Sequence, residues 1–396
     1  MKRTLQSLDA TQLNGQRALV RVDFNCPIKD GEVSDDLRIR EALPTISYLR
    51  EHGARVVLCS HLGRPKGAPD PRYTLLPVQR RLERLLGSPV EFIADPLSPD
   101  AVKLSKRLPR GGVILLENTR FLDGEERNDP VLAQQLAALG DFYVNDAFGT
   151  AHRAHASTEG VAHHLKPAVS GFLVEKELRY LDQALSNPTH PFVAVLGGAK
   201  ISGKIDLIEA LLPKADQILI GGAMAGTFFQ ALGWPTGNSL VEPDRVPLAR
   251  ALLDRAGDRI VLPSGAVVAT ELVEDATAQF VPADRIPEGW AMYDIDWKTV
   301  EAYRKIIREA RTIFWNGPMG VFEVRPFMQG TIGIAQAVAE ATALGATTVV
   351  GGGDSAAALA TIGLADQVTH LSTGGGASLE FLEGKNLPGI AALDDA

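Results

Sequence analysis

Short apolar runs that break into polar or glycine-rich turns, and then into amphipathic stretches, recur along the whole chain. This alternation limits the possible folds more than any other feature. Residues 192–196 lead into Gly197-Gly198-Ala199-Lys200, and Val349-Val350 into Gly351-Gly352-Gly353-Asp354-Ser355. In the first half, residues 18–24, 55–59, 113–116 and 142–144 read as strands, and 44–51 and 75–86 as helices. The second half repeats the pattern with strands at 192–196, 217–220, 259–262, 312–315 and 347–350, and its Pro/Asp-rich stretch 281–289 reads as a surface loop. Strands alternating with helices predict α/β architecture: parallel sheets wrapped by helices, with ligands at the carboxyl ends of the strands.

A chain of 396 residues exceeds what one hydrophobic core usually serves, so two domains are expected. Apolar positions 174, 178, 181 and 185 carry a helical period that Asn187-Pro188 ends, which predicts a connecting helix between them. The formal net charge of −8 argues against a general affinity for nucleic acid or an anionic membrane, so an anionic ligand must meet a local basic patch. Only Cys26 and Cys59 occur, too few for a disulfide framework. With no apolar signal core at the start and no run of 18 apolar residues, a reducing cytoplasm is the expected address.

Polar groups collect at the strand ends of the first half. Arg21, Asp23 and Asn25 alternate with Val20, Val22 and Phe24, so a period of two places them on one face. The next runs end in Ser60-His61-Leu62-Gly63-Arg64-Pro65 and Glu117-Asn118-Thr119-Arg120, and the fourth leads into Asp146 and then His152-Arg153-Ala154-His155. Arg21, Arg38, Arg64, Arg120 and Arg153, with His61, would form a pocket for a small, multiply charged anion, because guanidinium forks match carboxylate and phosphate oxygens two at a time. Asp23 and Asn25 would suit a hydroxyl on the same ligand. A zinc reading of His152, His155, His163 and His164 lacks a cysteine or a nearby carboxylate pair, which leaves anion binding or capping.

The second half looks built for a nucleotide, since glycine turns that open helices let backbone amides approach phosphate. Residues 198–204 read G-A-K-I-S-G-K and nearly complete a P-loop, but Ile205 stands where a serine or threonine would hold magnesium. Lys200 and Lys204 then read as cations one helical turn apart, facing the same way toward a phosphate chain. Asp354, at a helix start, would cap the helix or hold magnesium. Glu323, in Trp315-Asn316-Gly317-Pro318-Met319-Gly320-Val321-Phe322-Glu323, is available to a ribose hydroxyl. No serine-histidine-acid or cysteine-histidine set stands near these turns. Two sites on two halves suggest phosphoryl transfer, in which a carboxylate or phosphate nucleophile needs no base.

Taken in order, the motifs resemble those of the phosphoglycerate kinase family over nearly the whole chain. Residues 20–25, 60–65, 117–121 and 151–157 are similar to that family's substrate-domain motifs. Residues 197–200, 315–323, 351–355 and 372–378 are similar to its nucleotide-domain motifs. The resemblance implies two Rossmann-like domains, each a parallel sheet flanked by helices, joined by an interdomain helix. Residues 1–172 would bind 3-phosphoglycerate, 173–188 would form the helix, 189–380 would bind nucleotide, and 381–396 would return to the first domain. It implies a cytoplasmic monomer that transfers a phosphoryl group between ATP and the carboxylate of 3-phosphoglycerate, giving 1,3-bisphosphoglycerate and ADP. It also implies Mg2+ carried as MgATP or MgADP, with neither nucleic acid nor membrane as partner.

By motif match, Arg38 and Lys200 would stabilise the transferring group, and the resemblance puts Gly375 with them as catalytic. Arg64, Arg120 and Arg153 would grip the substrate phosphate, and Asp23 and Asn25 would meet its hydroxyl and carboxylate end. Arg21, Arg38, His61, Leu62 and Gly63 complete the expected substrate set. The nucleotide set is Gly198, Lys200, Lys204, Gly221, Pro318, Glu323, Gly352, Gly353, Asp354 and Ser355, with Asp354 on magnesium and Glu323 on the ribose. Hinge closure is expected, with Gly171 and the turn 372–376 as candidate hinges.

One departure is visible, because Met292-Tyr293 stand where the family has glycine and leucine, beside the expected adenine. Two other readings remain for comparison. A dehydrogenase would need G-x-G-x-x-G after a strand, which is absent. A catalytically silent nucleotide-binding or scaffold relative would be expected to lose Arg38 or Lys200, and both are present.

Overall fold

Strand β1, Arg17–Val22, shows how the first parallel sheet is built. Its side chains alternate between two apolar layers: Ala18, Val20 and Val22 enter one core, and Leu19 enters the other. Both faces are covered, as a parallel sheet requires. The computed structural model describes residues 2–396, and for 184–186 the backbone alone.

After β1 come a small hairpin, β2 (Ile28–Lys29) and β3 (Glu32–Val33), and then β4 (Arg55–Cys59), β5 (Val90–Ile93), β6 (Val113–Leu116), β7 (Phe142–Asp146) and β8 (Ala168–Ser170). The large sheet has the order β5-β6-β4-β1-β7-β8 with all neighbours parallel. Ile39, Ala42, Ile46 and Leu49 of helix Leu37–Glu51 pack on one face with Val78 and Leu82 of helix Leu76–Leu86. Helices Pro99–Arg107 and Pro130–Ala137 cover the other through Ala101, Leu132, Ala133 and Leu136.

Strands β9 (Phe192–Leu196), β10 (Gln217–Ile220), β11 (Ile260–Val261), β15 (Thr312–Asn316), β16 (Thr347–Gly351) and β17 (His370–Leu371) form a second parallel sheet, of order β11-β10-β9-β15-β16-β17. A three-stranded antiparallel sheet, β13 (Gln279–Pro282), β12 (Gly265–Ala269) and β14 (Ala291–Ile295), accompanies it. The chain divides into two compact units, residues 2–178 with 386–396, and residues 179–385. Helix Phe172–Ser186 runs through the division. In the first unit the C-terminal segment docks through Asn145 Nδ2, which donates to Gly389 O at 2.9 Å, and through Asp394, which accepts from the Ala168 N–H at 2.9 Å.

Two local expectations need correction. The first helix begins at Leu37 and carries Pro44 inside it, because its buried apolar stripe outweighs the breaking effect of an exposed proline. Residues 281–289 are not all loop: Val281 and Pro282 end β13, paired to Ala266 and Gly265. Among the described residues no helix is long and apolar enough to cross a membrane.

Candidate active site

In the first unit the carboxyl ends of β1, β4 and β6, with the start of helix Leu37–Glu51, bring Asp23, Asn25, Arg38, His61, Gly63 and Arg120 into one cluster. Arg38 Nη1 pairs with Asp23 Oδ2. Burial pushes the Asp23 carboxyl up, but its charged neighbours, Arg38 above all, outweigh that and hold it below the usual range. Asn25 Oδ1 accepts from the Gly63 N–H at 3.0 Å, and the Gly63 carbonyl accepts from Arg120 Nη1 at 2.7 Å. Leu62 is pinned on both sides by Asn118, whose Oδ1 accepts from its N–H and whose Nδ2 donates to its carbonyl. Asn118 also accepts from the backbone N–H of Arg120 at 3.0 Å. Leu62 and Gly63 are thus held within the loop 60–65 by Asn25, Asn118 and Arg120.

The cations are close enough to perturb one another. Burial, reinforced by Arg21, Arg120 and Arg153, lowers the pKa of His155 to about 3. Burial and the nearby Arg21, Arg120 and Arg38 likewise push His61 well below the ordinary histidine value, although Asp23 pulls the other way. So many cations in one place make a site for a polyanion. Arg64 and Arg153 are exposed, and Arg153 Nε donates to His152 Nε2 at 3.2 Å.

Arg21 and Arg38 differ from expectation in position. Arg38 stands not at a strand end but on the second residue of a helix. Arg21, expected to face the ligand, is fully buried inside β1. Its guanidinium contacts Ser157 Oγ, the Val22 carbonyl and His61 Nδ1.

In the second unit the carboxyl ends of β10, β9, β15 and β16 interlock through backbone. The Gly198 N–H donates to Pro318 O at 2.9 Å, the Gly222 N–H to Met319 O at 2.9 Å and the Gly221 N–H to Leu196 O at 2.8 Å. Ser355 Oγ accepts from the Gly317 N–H at 2.7 Å, and Asn316 Nδ2 donates to Gly351 O at 2.8 Å. Gly317 has φ +94°, and a Cβ there would lie 2.3 Å from Gly197 O, so only glycine fits. Gly352 caps helix Gly353–Thr361, whose first turn exposes Gly353 and Asp354.

Lys200 and Lys204 are not one α-helical turn apart. Lys200 is extended and exposed, residues 201–203 form a 3-10 turn, and the α-helix starts at Ile205. Burial lowers the pKa of Lys204 to about 8, while Asp354 and Glu383 pull it back up. Glu323 is exposed in the loop after Gly320, and Gly375 caps helix Gly376–Leu382. Thr331, unremarked in the sequence, accepts from the N–H groups of Met319 and Gly320 and supports this turn from inside a helix. A lone helical threonine carries no sequence signal for such a role.

Met292 is buried in β14, where its N–H donates to Ser239 Oγ at 2.9 Å. The Tyr293 ring lies 4.9 Å from that of Phe327 in a small core with Val267 and Ala269.

A cluster of cations on one α/β unit and a set of interlocked glycine turns at the strand ends of another fit the class of phosphoryl-transfer enzymes. The comparisons with known proteins name the kind. The family model described as phosphoglycerate kinase matches residues 8–385. A phosphoglycerate kinase of Rubrobacter xylanophilus is 57% identical, over 100% of this chain and 98% of the relative. A "Phosphoglycerate kinase, cytosolic" of Nicotiana tabacum is 51% identical over 100% of both chains. The solved phosphoglycerate kinase of Coxiella burnetii superposes with a TM-score of 0.89 at 43% identity, covering 99% of this chain and 98% of that one. This chain belongs to the phosphoglycerate kinase family.

Proposed function

We propose that the chain catalyses reversible phosphoryl transfer between ATP and the carboxylate of 3-phosphoglycerate, giving 1,3-bisphosphoglycerate and ADP, as a step of glycolysis. The observation that carries this reading is the cluster Asp23–Arg38, His61, Gly63 and Arg120 in a chain whose family match runs from residue 8 to 385.

The first unit holds 3-phosphoglycerate. Arg64, Arg120 and Arg153 grip its phosphate, while Asp23, Asn25 and the loop His61-Leu62-Gly63 orient the hydroxyl and carboxylate end. The second unit holds the nucleotide, with the phosphates over Gly198, Gly352, Gly353 and Ser355, Lys204 beside them, and the base and ribose near Gly221, Pro318 and Glu323, while Gly375, at the start of helix Gly376–Leu382, joins Arg38 and Lys200 as a catalytic group. A carboxylate oxygen attacks directly and needs no base, so the work falls to alignment and charge. Arg38 and Lys200 offset the charge spread over the moving phosphoryl oxygens.

Magnesium, carried with the nucleotide, would draw charge from the phosphate oxygens. Asp354 suits it, because it is an exposed carboxylate on the first turn behind a glycine cradle, and Mg2+ is commonly held by one or two carboxylates plus substrate phosphates. The name of the tobacco relative supports a cytoplasmic address, and we infer a monomer.

A coupled assay of ADP release in the presence of ATP, Mg2+ and 3-phosphoglycerate tests the reading. Release that requires both substrates is expected. ADP release that ignores 3-phosphoglycerate, or none at all, would overturn it.

A further inference from the structure

Glu125 is a buried carboxylate, 1% exposed, that the proposed reaction leaves without a role. Its Oε2 accepts from the Ser157 N–H at 3.0 Å, and its Oε1 accepts from the Ser157 hydroxyl. The Ser157 oxygen in turn accepts from Arg21 Nε at 2.9 Å. A guanidinium donates and never accepts, so the serine proton must go to Glu125 and each direction in the chain is determined. The same logic holds at the far end. Arg21 Nη2 lies 3.3 Å from His61 Nδ1, which makes Nδ1 the acceptor and leaves it without a proton. Asp23 Oδ1 is 3.9 Å from that nitrogen, too far to draw a proton onto it by a hydrogen bond.

We propose that Glu125 and Ser157 are positioning residues that act through Arg21 to keep His61 neutral, with its proton on Nε2, so that His61 meets the substrate as an uncharged donor. This rests on the substrate reading given above. Glu125 also makes the burial of Arg21 tolerable, because an unbalanced guanidinium at 0% exposure would carry a large desolvation penalty. The charged groups facing His61 are Asp23, Arg21, Arg120 and Arg38. Three of the four are cations that oppose a further positive charge on the ring. A neutral donor adds a hydrogen bond to a bound anion without taking up a proton, so substrate affinity does not follow histidine titration near neutral pH.

The test uses the full chain labelled with 15N-histidine, with His61 assigned by its loss in His61→Gln. In the unliganded parent, Nδ1 should give a pyridine-type and Nε2 a pyrrole-type nitrogen signal, unchanged from about pH 5.5 to about 8. Ser157→Ala should introduce the other tautomer or a titration in that window. It should also raise the KM for 3-phosphoglycerate roughly tenfold, the size of one lost hydrogen bond, while the KM for ATP stays unchanged. Glu125→Gln should move both readouts in the same direction. If that variant does not fold, Ser157→Ala, which removes one hydroxyl, decides alone. A pyrrole-type Nδ1 in the parent, a parent titration in that window, or a Ser157→Ala variant with parental spectrum and KM would overturn the proposal. The spectra need no activity, so failure of the reaction itself would appear separately, in the coupled assay.

Discussion

Arg38 is anchored by the Asp23 carboxylate, across the gap between the end of β1 and the start of helix Leu37–Glu51. Asp23 is 7% exposed while the Arg38 side chain is 34% exposed, so the carboxylate end of the pair is sheltered and the guanidinium end is open to a ligand. Replacing Arg38 with alanine should therefore slow turnover by about 2–4 kcal/mol of barrier, the range for one lost electrostatic contact in the transition state. The KM for 3-phosphoglycerate should change much less. Steady-state kinetics separate the two, and near-normal turnover would refute the assignment.

Lys200 should behave alike for a different reason. It is exposed and extended, so Lys200→Ala removes charge without opening a cavity. Turnover should fall by a similar factor while the melting temperature stays near that of the parent. Thermal unfolding and kinetics on one preparation check both halves.

Much of this was legible in the residues, and the rest was not, for identifiable reasons. Strand ends were readable because Asn25, His61 and Arg120 follow apolar runs, and those groups do meet around Gly63. The roles of Arg21 and Arg38 were not separable from sequence. Both are arginines near Asp23, but one points into the layer occupied by Leu19 and the other comes from a helix. The helix start ahead of Pro44 was hidden because a proline there usually marks a boundary, while the stripe Ile39, Ala42, Ile46 and Leu49 overrides it. Lys200 and Lys204 were misread as an α-turn because the 3-10 segment between them has the same spacing in sequence.

Asp146 gives a pH signature. It closes β7, and its Oδ1 accepts from the Leu173 N–H at 2.9 Å, while burial, helped by Glu41, raises its pKa to about 7 against the hydrogen bonds it receives. A raised carboxyl means that the folded state binds the proton more tightly than the unfolded one. Its stabilising contribution is complete below the ordinary value near pH 4 and is lost as pH rises toward 7. Asp146→Asn keeps the accepting oxygen and stays neutral. It should remove that decline, leaving the variant more stable than the parent at about pH 8. Denaturant titrations across pH would show it, and parallel curves would refute it.

Gly317 and Gly353 should separate architecture from ligand contact. Gly317→Ala drives a Cβ to within 2.3 Å of Gly197 O, whereas nothing lies within 4 Å of a Cβ at Gly353. The first variant should lose stability. The second should melt within about 0.5 kcal/mol of the parent, as open surface sites do, yet bind ADP more weakly, because the methyl would occupy the phosphate approach. Calorimetry of ADP binding beside thermal melts provides the check.

Met292→Gly should cost about 2–5 kcal/mol, as deletion of a buried side chain does. If its side chain fills adenine space, the variant should also gain preference for ADP over GDP. Titration of both nucleotides decides this, and strong ADP selectivity in the parent, unchanged by the substitution, would show a pocket already re-formed around Met292.

The first unit is discontinuous: Lys2 bridges to Asp395, and Lys166 and the Ala168 N–H both engage Asp394. On a ribosome, β8 and its neighbours therefore emerge long before the segment that finishes them. The first unit must wait, incompletely sealed, through the synthesis of some 200 intervening residues (179–385). Completion of this unit thus requires that synthesis has passed residue 395. A nascent chain stalled before residue 386 would leave the Asn145 amide and the Ala168 backbone facing water, an exposed edge of the kind that chaperones and proteases act on.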